Sequence, residues 1–323
     1  MKKILFTGCG GQIGSELTLA FRKIYGDANV VASDISGNIN REVVESGPFV
    51  VLDVLDKKKI AEVVDEYRID AIVHLAAVLS AVGEKNPQLA WNVNMNGSVN
   101  VFEVAREKAL ARVLVPSSIA VFGPDAPRMS TPQKTVLRPA TMYGVTKVAG
   151  ELLGEYYNRR FGMDIRGLRY PGIISHKTLP GGGTTDYAVA IYFDAVKTGS
   201  YTCFLKEDTM LPMMYMSDCI RATTELFHAG KDRLRQGTGY NVAGFSVTPA
   251  GMTRSIRAQI PGFGINYQPD FRQDIADSWP MSLDDREARE EWDWKPAYDL
   301  ERTTAEMLRE IRLKEGHTAR AGS

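Results

Sequence analysis

Tyr143-Gly-Val-Thr-Lys147 sets a phenol and an ammonium four residues apart, on one face of the chain if the segment is helical. A phenol with its ordinary pKa of about 10 is a weak base at neutral pH. The pair therefore does acid–base work only where a cation favours the phenolate. Upstream, Ser117-Ser118 closes an apolar run, Val113 to Pro116, that reads as a strand. Open parallel sheets bind ligands at the edge where their strands end, and a hydroxyl there can orient a substrate oxygen. Tyr143 as base, Lys147 as its cation and Ser118 as the orienting group would together take a proton from an alcohol. With no ligand beside them, the same Tyr and Lys would be an exposed pair on an amphipathic helix.

The neighbours that choose between these readings lie at the start of the chain. Ile4 to Thr7 is a short strand, and Gly8-Cys9-Gly10-Gly11-Gln12-Ile13-Gly14 follows it. Gln12 to Tyr25 then carries Ile13, Leu17, Ala20, Phe21 and Ile24 at helical spacing. Such a loop brings backbone N–H groups and the positive end of a helix against a pyrophosphate, which makes Gly8, Gly11, Gln12, Ile13 and Gly14 candidate cofactor contacts. Asp34 ends the second strand twenty residues after Gly14, where a carboxylate can accept both hydroxyls of an adenosine ribose. Ile35-Ser36-Gly37 follow with no arginine for a 2′-phosphate, which favours NAD over NADP. Asp53 and Val54, closing the third strand, can meet the adenine edge, and Leu75-Ala76-Ala77 after the fourth would let the cofactor pass close to the backbone.

These groups need a scaffold, and the chain supplies strands alternating with helices. Asn29 to Asp34 and Phe49 to Leu52 (strands), Asp56 to Tyr67 (helix), Ala71 to Leu75 (strand), Pro87 to Ala109 (helix), Tyr143 to Phe161 (helix) and Asp164 to Tyr170 (strand) continue the pattern. The fold class expected is α/β: a Rossmann-type doubly wound parallel sheet with a smaller C-terminal α/β substrate lobe. Residues 1–170, plus roughly 210–245, would form the NAD-binding domain. Roughly 171–209 and 246–323, rich in Gly and Pro clusters, would form the lobe. Of 323 residues, 39 Lys+Arg balance 39 Asp+Glu, which gives no field to draw nucleic acid or an anionic membrane. The apolar run from Ile4 stops at Gly8, too short for a secretory signal, so a cytoplasmic protein is expected. Cys9, Cys203 and Cys219 lack metal-ligand spacing and read as reduced thiols, and no metal is expected. Cys9 is either thiol-sensitive in its loop or buried and inert.

Taken together, Thr7-Gly8 to Gly14, Asp34, Asp53-Val54, Leu75-Ala76-Ala77, Asn94, Ser117-Ser118-Ile-Ala-Val-Phe-Gly123, Tyr143-xxx-Lys147 and Arg169-Tyr170-Pro171 resemble the extended short-chain dehydrogenase/reductases over nearly the whole chain. The resemblance implies a UDP-galactose 4-epimerase-like fold, Ser118 as the catalytic hydroxyl, and Asn94 and Tyr170 near the cofactor. The sugar-nucleotide branch usually carries Arg-Tyr-Phe-Asn where this chain has Arg169-Tyr170-Pro171-Gly172. Gly172-Ile-Ile-Ser175, Thr184-Thr185-Asp186-Tyr187-Ala188, Met214-Tyr215-Met216 and Asp277-Ser278-Trp279-Pro280 instead resemble the short-chain-type L-threonine 3-dehydrogenases. That resemblance implies NAD-dependent oxidation of L-threonine at C3 to L-2-amino-3-oxobutyrate, and a homodimer formed through the Pro87 to Ala109 and Tyr143 to Phe161 helices.

A substrate of threonine's size carries a carboxylate, an ammonium and a secondary alcohol, so its pocket needs short hydroxyl donors and an acceptor for the ammonium. Thr184, Thr185 and Asp186, beside the glycine-rich stretch from Pro180 to Gly183, offer those groups, and Ser80 faces the same edge. The alternative use of Thr185 or Asp186 is a helix N-cap. Trp279 either closes over the substrate or packs in the lobe. Two other functions compete: a nucleotide-sugar 4-epimerase or dehydratase, and an NAD-binding sensor without catalysis.

Overall fold

The computed structural model describes residues 2–178, 181 and 183–321. The first half runs β1 (Ile4–Thr7), α1 (Gln12–Tyr25), β2 (Val30–Asp34), α2 (Arg41–Glu45), β3 (Phe49–Val51), α3 (Lys57–Tyr67), β4 (Ala71–His74), α4 (Ser80–Lys85), α5 (Pro87–Trp91), α6 (Gly97–Glu107), β5 (Arg112–Leu114), β6 (Ser117–Ser118) and α7 (Met142–Phe161). The second half runs β7 (Ile165–Arg166), β8 (Leu168–Tyr170), β9 (Gly172–Ile174), α8 (Tyr187–Lys197), β10 (Ser200–Cys203), β11 (Leu211–Tyr215) and α9 (Met216–His228). It ends with β12 (Tyr240–Asn241), β13 (Phe245–Val247), α10 (Pro249–Arg257), β14 (Gly264–Tyr267), α11 (Arg272–Asp277), α12 (Arg286–Trp292) and α13 (Leu300–Ala321).

The principal sheet is parallel, in the order β3-β2-β1-β4-β5-β7. Side chains of β1 alternate between its two faces. Leu5 joins Val31, Ile72 and Val113 beneath Ile60, Val64, Val101 and Phe102 of α3 and α6. Ile4 and Phe6 join Val30, Ala32 and Val73 against Leu17 and Phe21 of α1 and Phe227 of α9. This is the Rossmann-type arrangement, with its growth reversing between β1 and β4, the place where such sheets open a crevice beyond their strand ends. Helix boundaries follow local chemistry. Asp56 caps α3 by accepting from the Lys59 amide at 2.9 Å, and Thr141 caps α7 by accepting from the Gly144 amide at 3.0 Å. Gly162, at φ 69°, ends α7.

Two expected elements differ from the observed ones. The helix expected over Pro87 to Ala109 is interrupted by a π-turn at Asn92–Asn96 between α5 and α6, which inserts a residue and re-aims Asn94. The strand expected over Asp164 to Tyr170 breaks at Gly167. There β7 stays beside β5, while β8 leaves for a second sheet, β12-β8-β6. In the second half, α8, α10, α13, β10 and β14 enclose a core containing Ile191, Tyr192, Leu205, Met252, Phe263, Trp279 and Leu308. Strand β11 runs parallel to β9, with Met213 opposite Gly172, and antiparallel to β13. The chain then returns through α9 to pack on α1.

Candidate active site

A cleft of about 510 Å³ opens beyond the carboxyl ends of β1, β2 and β4 and reaches the second half of the chain. At one end, Gly8 holds φ at +75°, and its α-carbon sits so close to the next strand's loop that a Cβ would lie 2.5 Å from the Ala76 nitrogen. Gly11 precedes α1 and offers no side chain to cap it, which leaves the helix's first-turn N–H groups unpaired by a cap at the cleft wall formed by Gly8, Gln12, Ile13 and Gly14. Asp34 braces this loop. Its carboxylate accepts from the Gly10 amide at 2.9 Å and from the Ser36 amide at 3.1 Å, and it lines the cleft. Asp53, Val54, Leu75, Ala76 and Ala77 complete this wall. Cys9 lies behind the loop, fully buried, and burial with the Asp34 charge pushes its thiol up to about 12. Of its two expected roles, the inert thiol is the one the structure supports.

The floor is made by Ser118, Tyr143 and Lys147. Ser118 ends β6 and accepts from the Ala120 amide at 3.2 Å, and it lines the cleft together with Tyr143. Gly144 lets α7 dock on that turn, since a Cβ there would run into the Ala120 carbonyl oxygen and lie 2.5 Å from Pro139 Cβ. Lys147 Nζ donates to the Pro116 carbonyl at 2.8 Å and stands 5.5 Å from the centre of the Tyr143 ring. The expected lowering of the phenol by Lys147 does not appear in the protein alone, where Lys147 Nζ lies over the ring. Burial pushes Tyr143 up to about 12, with only the Ser118 hydrogen bond acting the other way. Burial also brings Lys147 down to about 8, against the upward pull of Glu151.

At the other end Gly183, Thr184, Thr185 and Asp186 line the cleft together with Ser80, Gly172 and Trp279, while Pro180 and Gly182 lie outside the described residues. Ser80 Oγ reaches Thr184 Oγ1 at 3.4 Å across the cleft. Asp186 begins α8 but makes no side-chain cap to it, and its carboxylate instead accepts from the Gly183 amide at 2.7 Å. Trp279, 5% exposed, packs in the lobe core and also lines the cleft. Lys147 is the only basic side chain among the described residues lining the cleft.

Two residues that the resemblance implies near the cofactor spend their polar atoms on protein partners. Asn94 does not line the cleft. From the π-turn its amide donates to the Val78 carbonyl at 3.1 Å and to Thr146 Oγ1 at 3.0 Å and accepts from the Val78 amide at 2.8 Å, so it ties the loop after β4 to α7 from behind. Tyr170 lines the cleft wall, but its phenol is turned away onto the Thr223 hydroxyl of α9.

A support that sequence reasoning passed over lies beneath the floor. Glu151, one turn beyond Lys147, is buried and receives the Ser117 hydroxyl and a two-pronged contact from the buried Arg169, at 2.9 and 2.8 Å. Arg169 continues to the Gln133 carbonyl and Asn241 Oδ1 and stacks 5.1 Å from the Phe122 ring centre. A cavity of about 20 Å³ separates Glu151 and Lys147 from His74, Asn94 and Ser98. Burial pulls His74 down to about 3, so it is neutral between Thr7 Oγ1 at 2.7 Å and Ser98 Oγ at 3.2 Å. The signal for Glu151 was its i+4 spacing from Lys147, which places both on one face of α7.

Comparison with known proteins is consistent with this geometry. Residues 4–243 match the NAD dependent epimerase/dehydratase family. An uncharacterized epimerase/dehydratase of Staphylococcus haemolyticus is 48% identical over 316 residues, covering 98% of this chain and 99% of its own. The crystal structure of L-threonine dehydrogenase from Phytophthora infestans superposes with a TM-score of 0.93 at 50% identity, over 97% of this chain and 99% of that one. The holo form of the GalE-like L-threonine dehydrogenase from Cupriavidus necator gives 0.93 at 52% identity, over 96% and 99%.

Proposed function

We propose that this chain, which belongs to the NAD dependent epimerase/dehydratase family and uses NAD as its cofactor, oxidises L-threonine at C3 to L-2-amino-3-oxobutyrate. The observation that carries the reading is the pairing, in one cleft, of the Tyr143–Ser118 hydroxyls with Ser80, Thr184, Thr185 and Asp186 opposite. Those groups suit an alcohol, a carboxylate and an ammonium. A sugar diphosphate calls for arginines, and none lines the described cleft. Both structural relatives named above are L-threonine dehydrogenases, which supports the same choice.

Gly8, Gly11, Gln12, Ile13 and Gly14 would hold the pyrophosphate, Asp34 the adenosine ribose, and Lys147 the ribose nearest the reaction. Bound NAD supplies the hydride acceptor and a cationic ring. Ser118 orients the substrate hydroxyl, and Tyr143 takes its proton as the C3 hydride leaves. With the phenol held up to about 12 in the protein alone, raising the pH favours the proton-accepting form, so turnover rises from neutral into mildly alkaline pH. Thr184 and Thr185 serve the carboxylate and Asp186 the ammonium. The test is absorbance at the NADH band with NAD⁺ and a panel of L-threonine, L-serine, other 3-hydroxy acids and UDP-glucose. Reduction with L-threonine is the expected result, and its absence removes the reading.

The same proposal includes a homodimer. Trp91 of α5 and Val145, Leu152 and Tyr156 of α7 are exposed, at 45%, 40%, 57% and 51%. A second copy covering these two helices would bury them, and light scattering of the purified chain checks the mass. Cys9, Cys203 and Cys219 are unpaired and buried, which suits the reducing cytoplasm.

A further inference from the structure

Gly172 stands at the start of β9, lines the cleft, and is buried. A Cβ built on it would lie 2.8 Å from Thr185 Cβ and 2.9 Å from Thr185 Cγ2, with the Met213 sulfur nearer still. Atoms do not approach that closely, so both neighbours have to give way, and they differ in what that costs. Met213 is the far end of a flexible side chain on the paired strand β11. Thr185 is different. Its backbone carbonyl accepts from the Ala188 amide at 3.0 Å as α8 begins, and the adjoining amides of Asp186 and Val189 bond to Gly183 and Asp186 at 3.3 and 3.0 Å. Displacing Thr185 therefore moves a whole turn that also carries Thr184 and Asp186.

We propose that Gly172 is a specificity-determining position that acts through Thr185: by carrying no side chain, it seats the 183–186 turn in the cleft and sets the substrate end to the size of a small amino acid. The proposal rests on the reading of that turn as the amino-acid site. Gly172 touches no reacting atom, and its effect passes entirely through the loop it supports.

The experiment is a double-mutant cycle read by substrate KM, backed by a measurement that needs no turnover. Gly172→Ala should raise the KM for L-threonine by about 10-fold, the lower end of what one added methyl costs in a packed site, with NAD affinity by calorimetry within about 2-fold of wild type. Introduced into Thr185→Gly, which removes both colliding carbons, the same Gly172→Ala change should cost less than about 3-fold. Introduced with Met213→Ala, it should keep its full effect. Additive penalties across Gly172 and Thr185, or relief by Met213→Ala, would overturn the proposal in favour of ordinary strand packing. Amide hydrogen exchange is the independent arm. In Gly172→Ala, peptides covering 183–190 should exchange faster than in wild type while 8–15 stay unchanged, whatever the substrate proves to be. Unchanged exchange over 183–190 would also overturn it. If wild type reduces no NAD⁺ with L-threonine yet 183–190 loosens in the variant, the substrate assignment fails and the seating of the turn stands.

Discussion

The two ends of the cleft are built from different materials. At the end proposed for the dinucleotide the groups offered are main-chain N–H groups of one unbroken segment, 8–14, braced by the Asp34 carboxylate. At the end proposed for the amino acid they are side chains of the 183–186 turn, Ser80 and Trp279, brought together against Gly172 from separate parts of the chain. Backbone donors cannot be exchanged by mutation and suit a ligand shared by many enzymes. Hydroxyls and a carboxylate are exchanged one residue at a time, so substrate choice can change at this end while cofactor binding is kept. Between the two lies the floor of Ser118, Tyr143 and Lys147, which belongs to neither.

The floor is expected to show the largest effect. Tyr143→Phe should lower kcat by at least ~10², with NAD affinity and threonine KM little changed, and stopped-flow absorbance with calorimetry reads both. Turnover close to wild type would take the base role from Tyr143. Next come the ends, which should separate cleanly. Asp34→Ala should weaken NAD by about 10-fold while leaving threonine KM unchanged at saturating NAD. Asp186→Asn should do the reverse, raising threonine KM by about 10-fold through loss of a charge-assisted contact. If either change moves both constants alike, the division between the ends is wrong.

The smallest expected effect concerns the support under the floor. The Glu151 charge favours the protonated form of Lys147, whose burial already brings it to about 8. Neutralising that charge removes the favourable interaction, so Lys147 loses its proton at lower pH. In Glu151→Gln the alkaline limb of the kcat/KM profile should therefore shift downward, by about one pH unit or less. An upward shift, or a profile identical to wild type, would show that Glu151 acts only as the partner of Arg169.

How much of this was legible beforehand follows the same division. Gly8 to Gly14, Asp34 and the Tyr143/Lys147 pair could be found because each depends on spacing within one element or one strand-loop-helix unit. The alternating strands and helices of the first half were legible for the same reason, since periodicity reports which face of an element is covered. Asn94 and Tyr170 were placed by resemblance near the cofactor, and in the structure their polar atoms are spent elsewhere, on Val78 and Thr146 and on Thr223. The break of the sixth strand at Gly167 was hidden because it depends on β8 finding β6 and β12, partners far away in sequence.

The sequence by itself determined the glycine loop, the acidic residue after β2, the phenol–ammonium spacing and the order of elements, because those are properties of neighbours along the chain. Only the tertiary structure decided that the 183–186 turn packs on Gly172, that Lys147 stands over the Tyr143 ring, and that Glu151 and Arg169 lie buried beneath them. Each of those depends on close packing between segments that are remote in the chain. Distances of a few tenths of an ångström decide such contacts, and no pattern of residue types encodes them.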